Sequence, residues 1–254
     1  SKYISGFKAG TQKIEQVVKA RFPQARVLRM DMDTTRTKDG YEQILSAFSN
    51  HEADILIGTQ MIVKGHDFPG VTLVGVLAAD LSLYISDYRA SERTFQLLTQ
   101  AAGRAGRGDI PGNVIIQTYD PDHYSITTAK EQNYEAFYGQ EIEYRKMMRY
   151  PPVWNMLYIL CASKNEAAAS EAAVALMGKI DQIVRENSEK IFSIGPSDAP
   201  VAKISDVYRK VIYVKTREYQ TLVILKDGLE AFIKDNRLYQ NVAVGFDFNP
   251  VNGF

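Results

Sequence analysis

Several features that would place this chain in a familiar class are missing from its sequence. It has a single cysteine, Cys161, which excludes an internal disulfide and a zinc site built from several cysteines. Its three histidines are too scattered to form a metal-binding motif. No apolar run approaches the length of a membrane span, and no signal peptide is evident. Lysine plus arginine equal aspartate plus glutamate at 30 each, so net charge does not attract nucleic acid, although a local patch still can.

A phosphate-binding loop of the form G-x-x-x-x-G-K-[ST] is missing as well. The nearest fragment, Gly178-Lys179, is followed by Ile180 in a segment with helical periodicity. The chain also begins with Ser1 rather than methionine. We therefore expect it to be one part of an ATP-driven protein whose other part holds the nucleotide.

The first half of the sequence alternates short apolar strands with amphipathic helices. Helices are predicted at 11–21, 39–49 and 91–102, and strands at 27–30, 54–57, 71–78 and 114–118. The continuous apolar run 71–78 is typical of a strand buried on both faces of a parallel sheet. The alternation predicts an α/β lobe with a doubly wound parallel sheet.

The second half has a different order of elements. Residues 123–149 are predicted as one polar, tyrosine-rich helix that Pro151-Pro152 ends. Strands near 154–162, 190–195, 207–216 and 241–248 alternate with helices near 165–187 and 218–234. This βαββαβ order predicts a small α+β domain of ferredoxin-like type. We divide the chain into a lobe at 1–122, a helical connector at 123–152 and a C-terminal domain at 153–254.

The run from Gln100 to Arg107, QAAGRAGR, carries two arginines three residues apart at the end of an apolar helix. In phosphoryl transfer, charge spreads over the γ-phosphate oxygens, and an arginine from a neighbouring lobe stabilises it. A guanidinium suits this role because it stays charged and can bind two oxygens. The alternative is a basic helix end that only complements the helix dipole.

A second run, GTQMIVKGHDFPG at 58–70, leaves a buried strand. Loops at the carboxyl ends of parallel strands are where ligands bind. Gly58 allows close approach of a ligand, Thr59 offers a hydroxyl and an amide to phosphate, and Asp67 can accept from a ribose hydroxyl. The alternative is an ordinary glycine-rich loop in which Asp67 caps a turn.

Basic and aromatic residues alternate along the strand predicted at 207–216 and its flanks: Lys203, Tyr208, Arg209, Lys210, Tyr213, Lys215 and Arg217. Single-strand binding uses cations for phosphates and rings for stacking. The alternative is an amphipathic strand with a solvated outer face.

Three further groups are interpreted as structural. The charged cluster of Asp80, Asp87, Arg89, Glu92 and Arg93 is typical of a capped helix start with solvated ion pairs, although a role in coupling two lobes is the alternative. Tyrosines spaced three and four apart in the connector favour a helix-packing seam over a stacking surface. Trp154 and Cys161 are predicted as core residues.

The runs at 58–70 and 100–107 resemble motifs V and VI of superfamily 2 helicases. These segments closely resemble those of the family of primosomal replication-restart DNA helicases. The resemblance is carried by the sequence GTQMIVKGHDFPGVTLV and the later sequence DLSLYISDYRASERTFQLLTQAAGRAGR. KAGTQKIEQ, RMDMDTT and MMRYPP extend the likeness across the whole chain. The resemblance implies a RecA-like second motor lobe followed by a C-terminal α+β domain that binds DNA and partners.

This resemblance implies an ATP-dependent 3′→5′ DNA translocase that restarts stalled replication forks and loads the primosome. The residues implied to face the nucleotide, with the two arginines on its γ-phosphate, are Asp67, Gln100, Gly103, Arg104 and Arg107. The residues implied to contact DNA are Thr11, Thr59, Lys64, Tyr208, Arg209 and Lys210.

The family's first motor lobe and its zinc-binding cysteines have no counterpart in this sequence. ATP with Mg²⁺ would therefore be bound mainly by the missing lobe, zinc would belong to the parent protein, and this chain alone is expected to be inactive. The implied partners are forked and single-stranded DNA, single-strand DNA-binding protein and other primosome proteins, with a monomeric, cytoplasmic parent. Val207 and Val211 replace an arginine and a glutamine of the family pattern, which changes the partner contacts expected there.

Two alternatives remain open. One is another superfamily 2 translocase that acts in repair or recombination, against which KGHDFP and the C-terminal domain argue. The other is a non-catalytic DNA- or protein-binding module that stands alone. The missing phosphate loop favours this second alternative, whereas the presence of Asp67, Arg104 and Arg107 does not.

Overall fold

The structure is a computed structural model that describes residues 10–35, 40–63, 68–106, 111–186 and 191–251. The chain divides into two compact units, the first formed by 1–83 with 92–134 and the second by 84–91 with 135–254. Each unit has its own strands and its own buried core. None of the helices in the described ranges is long and apolar enough to cross a membrane.

The first unit alternates helices with parallel strands. Its elements, with α4 beginning in the short segment that belongs to the second unit, are α1 (Thr11–Arg21), β1 (Val27–Met30), α2 (Gly40–Ser49), β2 (Ile55–Gly58), β3 (Leu73–Val76), α3 (Asp80–Leu83), α4 (Ala90–Ala102), β4 (Asn113–Ile116) and α5 (Tyr124–Lys130). Strand β1 pairs with β2, and β3 pairs with β4, both in parallel register. The predicted α/β class is confirmed.

Helix α2 covers the β1–β2 pair through its apolar face, as its periodicity predicts. Leu45 is buried with Met30 and Phe68, and Ile44 and Phe48 pack against them. The Phe48 and Phe68 rings meet edge-on with centroids 5.0 Å apart. Helix α1, in contrast to α2, has no buried residue.

The β3–β4 pair does not have the two buried faces that its apolar sequence predicts. Leu73 is 58% exposed and Ile115 is 62% exposed. Side chains alternate between the two faces of a strand, and exposure alternates with them along both β3 and β4. The prediction of burial on both faces of this strand is therefore wrong.

The predicted single helix at 123–149 is in fact two helices. Helix α5 ends at Lys130, and α6 runs from Tyr134 to Met148. Gln132 adopts a left-handed φ of 52°, and the amide of Asn133 donates to the Thr128 carbonyl at 2.9 Å. This six-to-one hydrogen bond closes a helix end and explains the break.

The predicted packing seam on α6, formed by Tyr134, Phe137, Tyr138 and Tyr144, is confirmed for Phe137 and wrong for the three tyrosines. Tyr134 and Tyr138 are more than half exposed, whereas the buried side chains are Phe137, Glu141 and Arg145. Glu141 and Arg145 form a buried ion pair, Nε to Oε1 2.7 Å, and Arg145 also donates to a main-chain carbonyl. The buried side of α6 therefore consists of residues spaced four apart, one apolar and two charged.

The second unit contains the predicted βαββαβ order. Its elements are α6 (Tyr134–Met148), β5 (Asn155–Ser163), α7 (Glu166–Glu186), β6 (Phe192–Ile204), β7 (Val207–Thr216), α8 (Tyr219–Lys234) and β8 (Ala243–Phe248). The four strands form an antiparallel sheet in the order β6-β7-β5-β8. That order is the ferredoxin-like one, so this prediction is confirmed.

Helices α7 and α8 pack on one face of the four-stranded sheet, which we call the helix face. The core between them is almost fully buried: Leu157, Ile159, Cys161, Leu176, Ile180, Ile212, Val214, Leu222, Leu225 and Leu229. Burial raises the pKa of the Cys161 thiol to about 12. The predictions of Trp154 and Cys161 as buried residues are both confirmed.

Candidate nucleotide and DNA sites

Helix α4 presents its apolar side to the first unit and its polar side outward. Phe95, Leu98 and Ala101 are buried, as is Thr94, whose hydroxyl donates to the Ser82 hydroxyl at 2.7 Å. Gln100 lies on the exposed side, close to the end of the helix. The helix is thereby fixed along its length up to the arginine-bearing turn.

The turn after α4 is built from short-range main-chain hydrogen bonds. The amide of Gly103 donates to Thr99 at 3.0 Å, and the amide of Arg104 donates to Ala101 at 3.1 Å. The amide of Gly106 then donates to the carbonyl of Val71 at 3.0 Å. This last bond ties the arginine-bearing turn to the chain that enters β3.

Two glycines, Gly106 and Gly112, bring the backbone on either side of residues 107–110 into close contact. Gly106 has a left-handed φ of 74°, and a Cβ on it would lie 2.5 Å from the amide nitrogen of Gly112. A Cβ on Gly112 would lie 2.2 Å from the Gly106 nitrogen. Only glycine permits this approach of two backbones.

Some predicted site residues lie outside the described residues, namely Lys64, Asp67 and Arg107. Their neighbours are nevertheless placed. Phe68 is buried in the first unit's core, and its carbonyl accepts the Val71 amide at 3.1 Å. Because Val71 is bonded to Gly106, the chain that follows Asp67 meets the turn that carries Arg104.

Arg104 lies at the amino-terminal edge of the β3–β4 pair. The turn contacts Val71 just before β3, and Gly112 directly precedes β4. The opposite, carboxyl edge of this pair holds a buried carboxylate, Asp80. It accepts hydrogen bonds from the Thr118 hydroxyl at 2.6 Å and from the Tyr119 amide at 3.0 Å.

Asp80 therefore has a structural role. It is only 3% exposed, so the interpretation of its cluster as solvated does not hold for this residue. Burial raises the pKa of the Asp80 carboxyl, but the hydrogen bonds outweigh it, and the net pKa is lowered.

The predicted DNA contact Thr59 lies at the carboxyl edge of the β1–β2 pair. It follows Gly58, the last residue of β2, and its side chain is exposed. A Cβ on Gly58 would lie 2.5 Å from the Met30 carbonyl, so the two strands end in close contact. Thr59 is thus held at a fixed strand end with its hydroxyl accessible.

Thr11 lies at the first position of α1 and is bound to the end of β1. Its hydroxyl donates to the Asp31 carboxylate at 2.5 Å. Asp31 is 7% exposed and also accepts from the Arg29 guanidinium and from the Thr34 amide. The Thr11 hydrogen bond is the main cause that lowers the pKa of Asp31.

The predicted trio on β7 is divided between the two faces of the sheet. Tyr208 and Lys210 share parity with Ile212, which faces the helices, while Arg209 shares parity with Val211 on the other face. We call that other face the second face. Successive side chains on a strand point to opposite sides, so these three residues do not form one surface.

Lys210 is already paired with acidic groups on the helix face. Its ammonium lies 2.5 Å from Asp198 and 3.7 Å from Glu166, and these carboxylates raise its pKa. Lys203 pairs with Asp206 at 3.0 Å and lies over the Tyr208 ring. Arg209 instead donates to the Val201 carbonyl at 3.4 Å.

Family comparisons match both halves of the chain. The model of the helicase conserved C-terminal domain matches residues 4–109. The model of the primosomal protein N C-terminal domain matches residues 146–251. The first match contains the arginine-bearing turn, and the second contains the ferredoxin-like sheet.

Whole-chain relatives decide the family. The replication restart protein PriA of Bacillus subtilis strain 168 is 45% identical over 252 residues, which cover 98% of this chain and 31% of that protein. PriA of Synechocystis is 41% identical over 88% of this chain and 27% of that protein. The chain belongs to the PriA family. It spans about a third of the length of these relatives and corresponds to the C-terminal part of the PriA protein.

A more distant PriA, from Borreliella burgdorferi, is 34% identical over 96% of this chain and 36% of that protein. The likeness therefore extends through both units and not only through the helicase motifs. A solved structure, the de novo designed protein Foldit4, has a TM-score of 0.29 and 15% identity over 39% of this chain and 99% of that one, too weak to bear on the fold.

Two groups of interacting residues were not predicted as groups, although Trp154, Lys215 and Arg217 were each named from the sequence. Asp31 has a local signal, since Asp-x-Asp-Thr is typical of a turn in which the carboxylate accepts nearby amides. The second group surrounds Trp154 on the second face and includes Arg149, Phe192, Lys215 and Arg217. Its members come from four separate segments of the chain, so no local sequence pattern predicts that they lie together.

Proposed function

We propose that this chain supplies the second motor lobe and the C-terminal domain of an ATP-dependent DNA helicase. The parent protein would move 3′→5′ along DNA at stalled replication forks and load the primosome. The observation that carries this proposal is the closed turn after α4. Its Gly106–Val71 hydrogen bond and its Gly106–Gly112 contact bring Arg104 beside the chain that follows Asp67.

This arrangement suits donors for the γ-phosphate of ATP. The glycine pair lets two backbone segments lie in close contact, and Arg107 directly follows Gly106. Arg104 and Arg107 would direct guanidinium N–H groups at phosphate oxygens, while Gln100, Gly103 and Asp67 would complete this side of the cleft. ATP supplies the phosphoanhydride bond when bound, and the first lobe of the parent would hold it with Mg²⁺.

DNA would be held by residues at the ends of β1 and β2. Thr59 and Lys64 follow the end of β2, and Thr11 begins α1 at the end of β1. Because the Thr11 hydroxyl is bound to Asp31, we assign its DNA contact to the main-chain amides of the first helical turn.

The C-terminal domain would add DNA and protein contacts on two separate surfaces, with Tyr208 and Lys210 on the helix face and Arg209 on the second face. We propose forked and single-stranded DNA, single-strand DNA-binding protein and other primosome proteins as partners of a monomeric, cytoplasmic parent. Zinc would be bound by a part of the parent outside this chain. Within the described residues, no group of three histidine, cysteine or acidic side chains forms a metal site.

The decisive experiment measures ATP hydrolysis stimulated by forked DNA in the full-length parent. Arg104→Ala and Arg107→Ala are each expected to lower turnover by about 10³-fold or more, because each removes charge stabilisation in the transition state. Arg21→Ala, at an exposed position in the last turn of α1, is the matched control and should keep normal turnover. This chain alone should be inert.

Near-normal turnover in both variants would show that the arginines are structural, and the motor proposal would then fail. Circular dichroism of each variant separates that result from loss of folding. Hydrolysis by this chain alone would also contradict the proposal, because the proposal assigns the phosphate-binding loop to the first lobe of the parent.

A further inference from the structure

Trp154 lies on the second face of the four-stranded sheet, next to two guanidinium groups. The guanidinium carbon of Arg149 is 5.7 Å from the indole centroid, and that of Arg217 is 5.4 Å away. The indole is 7% exposed, whereas both arginines are exposed. The ring therefore supports two cations that themselves reach solvent.

The same arginine is fixed on a second ring. Arg149 lies 3.4 Å above the centroid of Phe192, and Phe192 meets Trp154 edge-on at 5.5 Å. Contacts of this kind within about 6 Å hold a cation by the negative face of the ring. A guanidinium held by its flat face keeps its N–H edges free for an oxyanion, and little rotamer entropy remains to be lost.

A third cation stands behind the two arginines. The Lys215 ammonium is buried, lies 3.8 Å from the Tyr150 ring centroid and donates to the Met148 carbonyl at 3.1 Å. Lys215 and Arg209 share one parity on β7, so cations recur along this face of a single strand.

The positive charge of this cluster is not balanced in the part of the chain that the structure describes. There, Arg149, Lys215 and Arg217 form no ion pair with a carboxylate. The contrast with Lys210 is direct, because Lys210 on the helix face has two carboxylates within 4 Å. An anion from outside would therefore complete the cluster around Trp154.

We propose that the cluster of Arg149, Trp154, Phe192, Lys215 and Arg217 binds the phosphate groups of single-stranded DNA. The choice of DNA as the polyanion rests on the proposed function. Fixed guanidinium forks match the paired oxygens of a phosphate and bind through charge-assisted hydrogen bonds. The indole is buried, with Arg149, Phe192 and Arg217 packed against it, so the cluster recognises the sugar-phosphate backbone and not the base.

The chain provides its own probe of this site, because Trp154 is its only tryptophan. A labelled thymidine oligonucleotide is titrated into the 254-residue chain without ATP, and anisotropy and tryptophan emission are recorded together. We expect the emission to change and to saturate at the same oligonucleotide concentration as the anisotropy.

Two double variants locate the contact. Arg149→Gln with Arg217→Gln is expected to lower the slope of log affinity against log salt by about 1.4, since each phosphate contact on a single strand contributes about 0.7. Arg185→Gln with Arg237→Gln removes the same charge from exposed positions elsewhere in the unit and should keep most of the slope. Circular dichroism checks that both double variants are folded. The emission titration uses the unmodified chain, so its result does not depend on the folding of either variant.

Several results would overturn the assignment. Oligonucleotide binding by anisotropy with unchanged tryptophan emission would place DNA elsewhere, and no binding at all would remove the proposal. A response to an Asp/Glu-rich peptide but not to the oligonucleotide would indicate a protein partner. An equal response to millimolar inorganic phosphate at matched ionic strength would indicate an isolated oxyanion site. None of these results bears on ATP hydrolysis by the parent, which tests the motor separately.

Discussion

The Thr11 hydroxyl donates a hydrogen bond to the Asp31 carboxylate, Oγ1 to Oδ2 2.5 Å, and so joins the start of α1 to the end of β1. The bond links two residues that are 20 positions apart in the chain. Asp31 is buried and also accepts from Arg29, which in turn bridges to Glu15 of α1 at 3.2 Å. Thr11, which is predicted to contact DNA, therefore also holds the start of α1 against the end of β1.

Thr11→Val is expected to destabilise the first unit by about 1.5–3 kcal/mol, because it removes a hydrogen bond to a charged acceptor at nearly constant volume. Thr11→Ser keeps the hydroxyl and should lose much less. Hydrogen exchange of α1 and β1 peptides under increasing urea measures the difference. Equal opening of these peptides in the valine variant and the unmodified chain would contradict the role.

Asp31 also makes the first unit sensitive to acid. Its folded pKa is lowered, so below the unfolded value of about 3.9 the unfolded state binds more protons than the folded one. Stability from this group is present above that pH and is lost as pH falls. Asp31→Asn should lessen the acid-induced opening of α1 and β1 between pH 5 and 3, measured by exchange, relative to Asp122→Asn as an exposed control.

How far the sequence predicts this structure depends on the range of each interaction. The βαββαβ order and helix α4 followed from periodicity, because those elements bury one regular face. The break at Gln132 did not, because its left-handed backbone is favoured by a local hydrogen bond and not by glycine or proline.

The features of the candidate sites also divide into those that a local sequence pattern predicts and those that only tertiary folding creates. Gly106 was visible as part of the run QAAGRAGR, whereas Gly112 and the backbone contact between the two glycines were not. The separation of Arg209 from Tyr208 and Lys210 was predictable from the two-residue period of a strand. The Thr11–Asp31 bond and the cluster around Trp154 were not, because only tertiary folding brings their segments together.

Gly112→Ala is expected to displace the arginine turn. The new Cβ would meet the backbone of Ala105 and Gly106 within 2.4 Å, so the close contact between the two backbone segments must open. If the motor proposal holds, turnover of ATP by the full-length parent should fall by about 10²-fold, the usual effect of misplacing a catalytic group by about 1 Å. Gly75→Ala, where a Cβ meets open space, is the control. Equal turnover in the two variants would show that this backbone contact does not position the arginines.

Lys215 is expected to contribute stability to the second unit as pH rises. Burial, with a smaller effect of Arg149, lowers its pKa to about 8, against about 10.4 in an unfolded chain. Between these values the unfolded lysine binds more protons than the folded one, so Lys215 alone should raise the free energy of unfolding with pH by on the order of 2 kcal/mol. The buried Cys161, whose pKa is raised to about 12, acts in the opposite direction, so the contribution of Lys215 is the difference between the unmodified chain and a Lys215 variant. Urea unfolding followed by Trp154 emission from pH 7 to 10 measures this difference.

Lys215→Met should lower the slope of the unfolding free energy against pH by the contribution of Lys215, because the titrating group is gone while the length of the side chain is kept. The Met148 carbonyl loses its donor in the variant, so the diagnostic quantity is the slope against pH and not the stability at one pH. Lys179→Met, on the surface of α7, should retain the slope. A slope in the Lys215 variant equal to that of the unmodified chain would show that Lys215 does not contribute to the pH dependence, and it would contradict a buried ammonium without a carboxylate partner on this face.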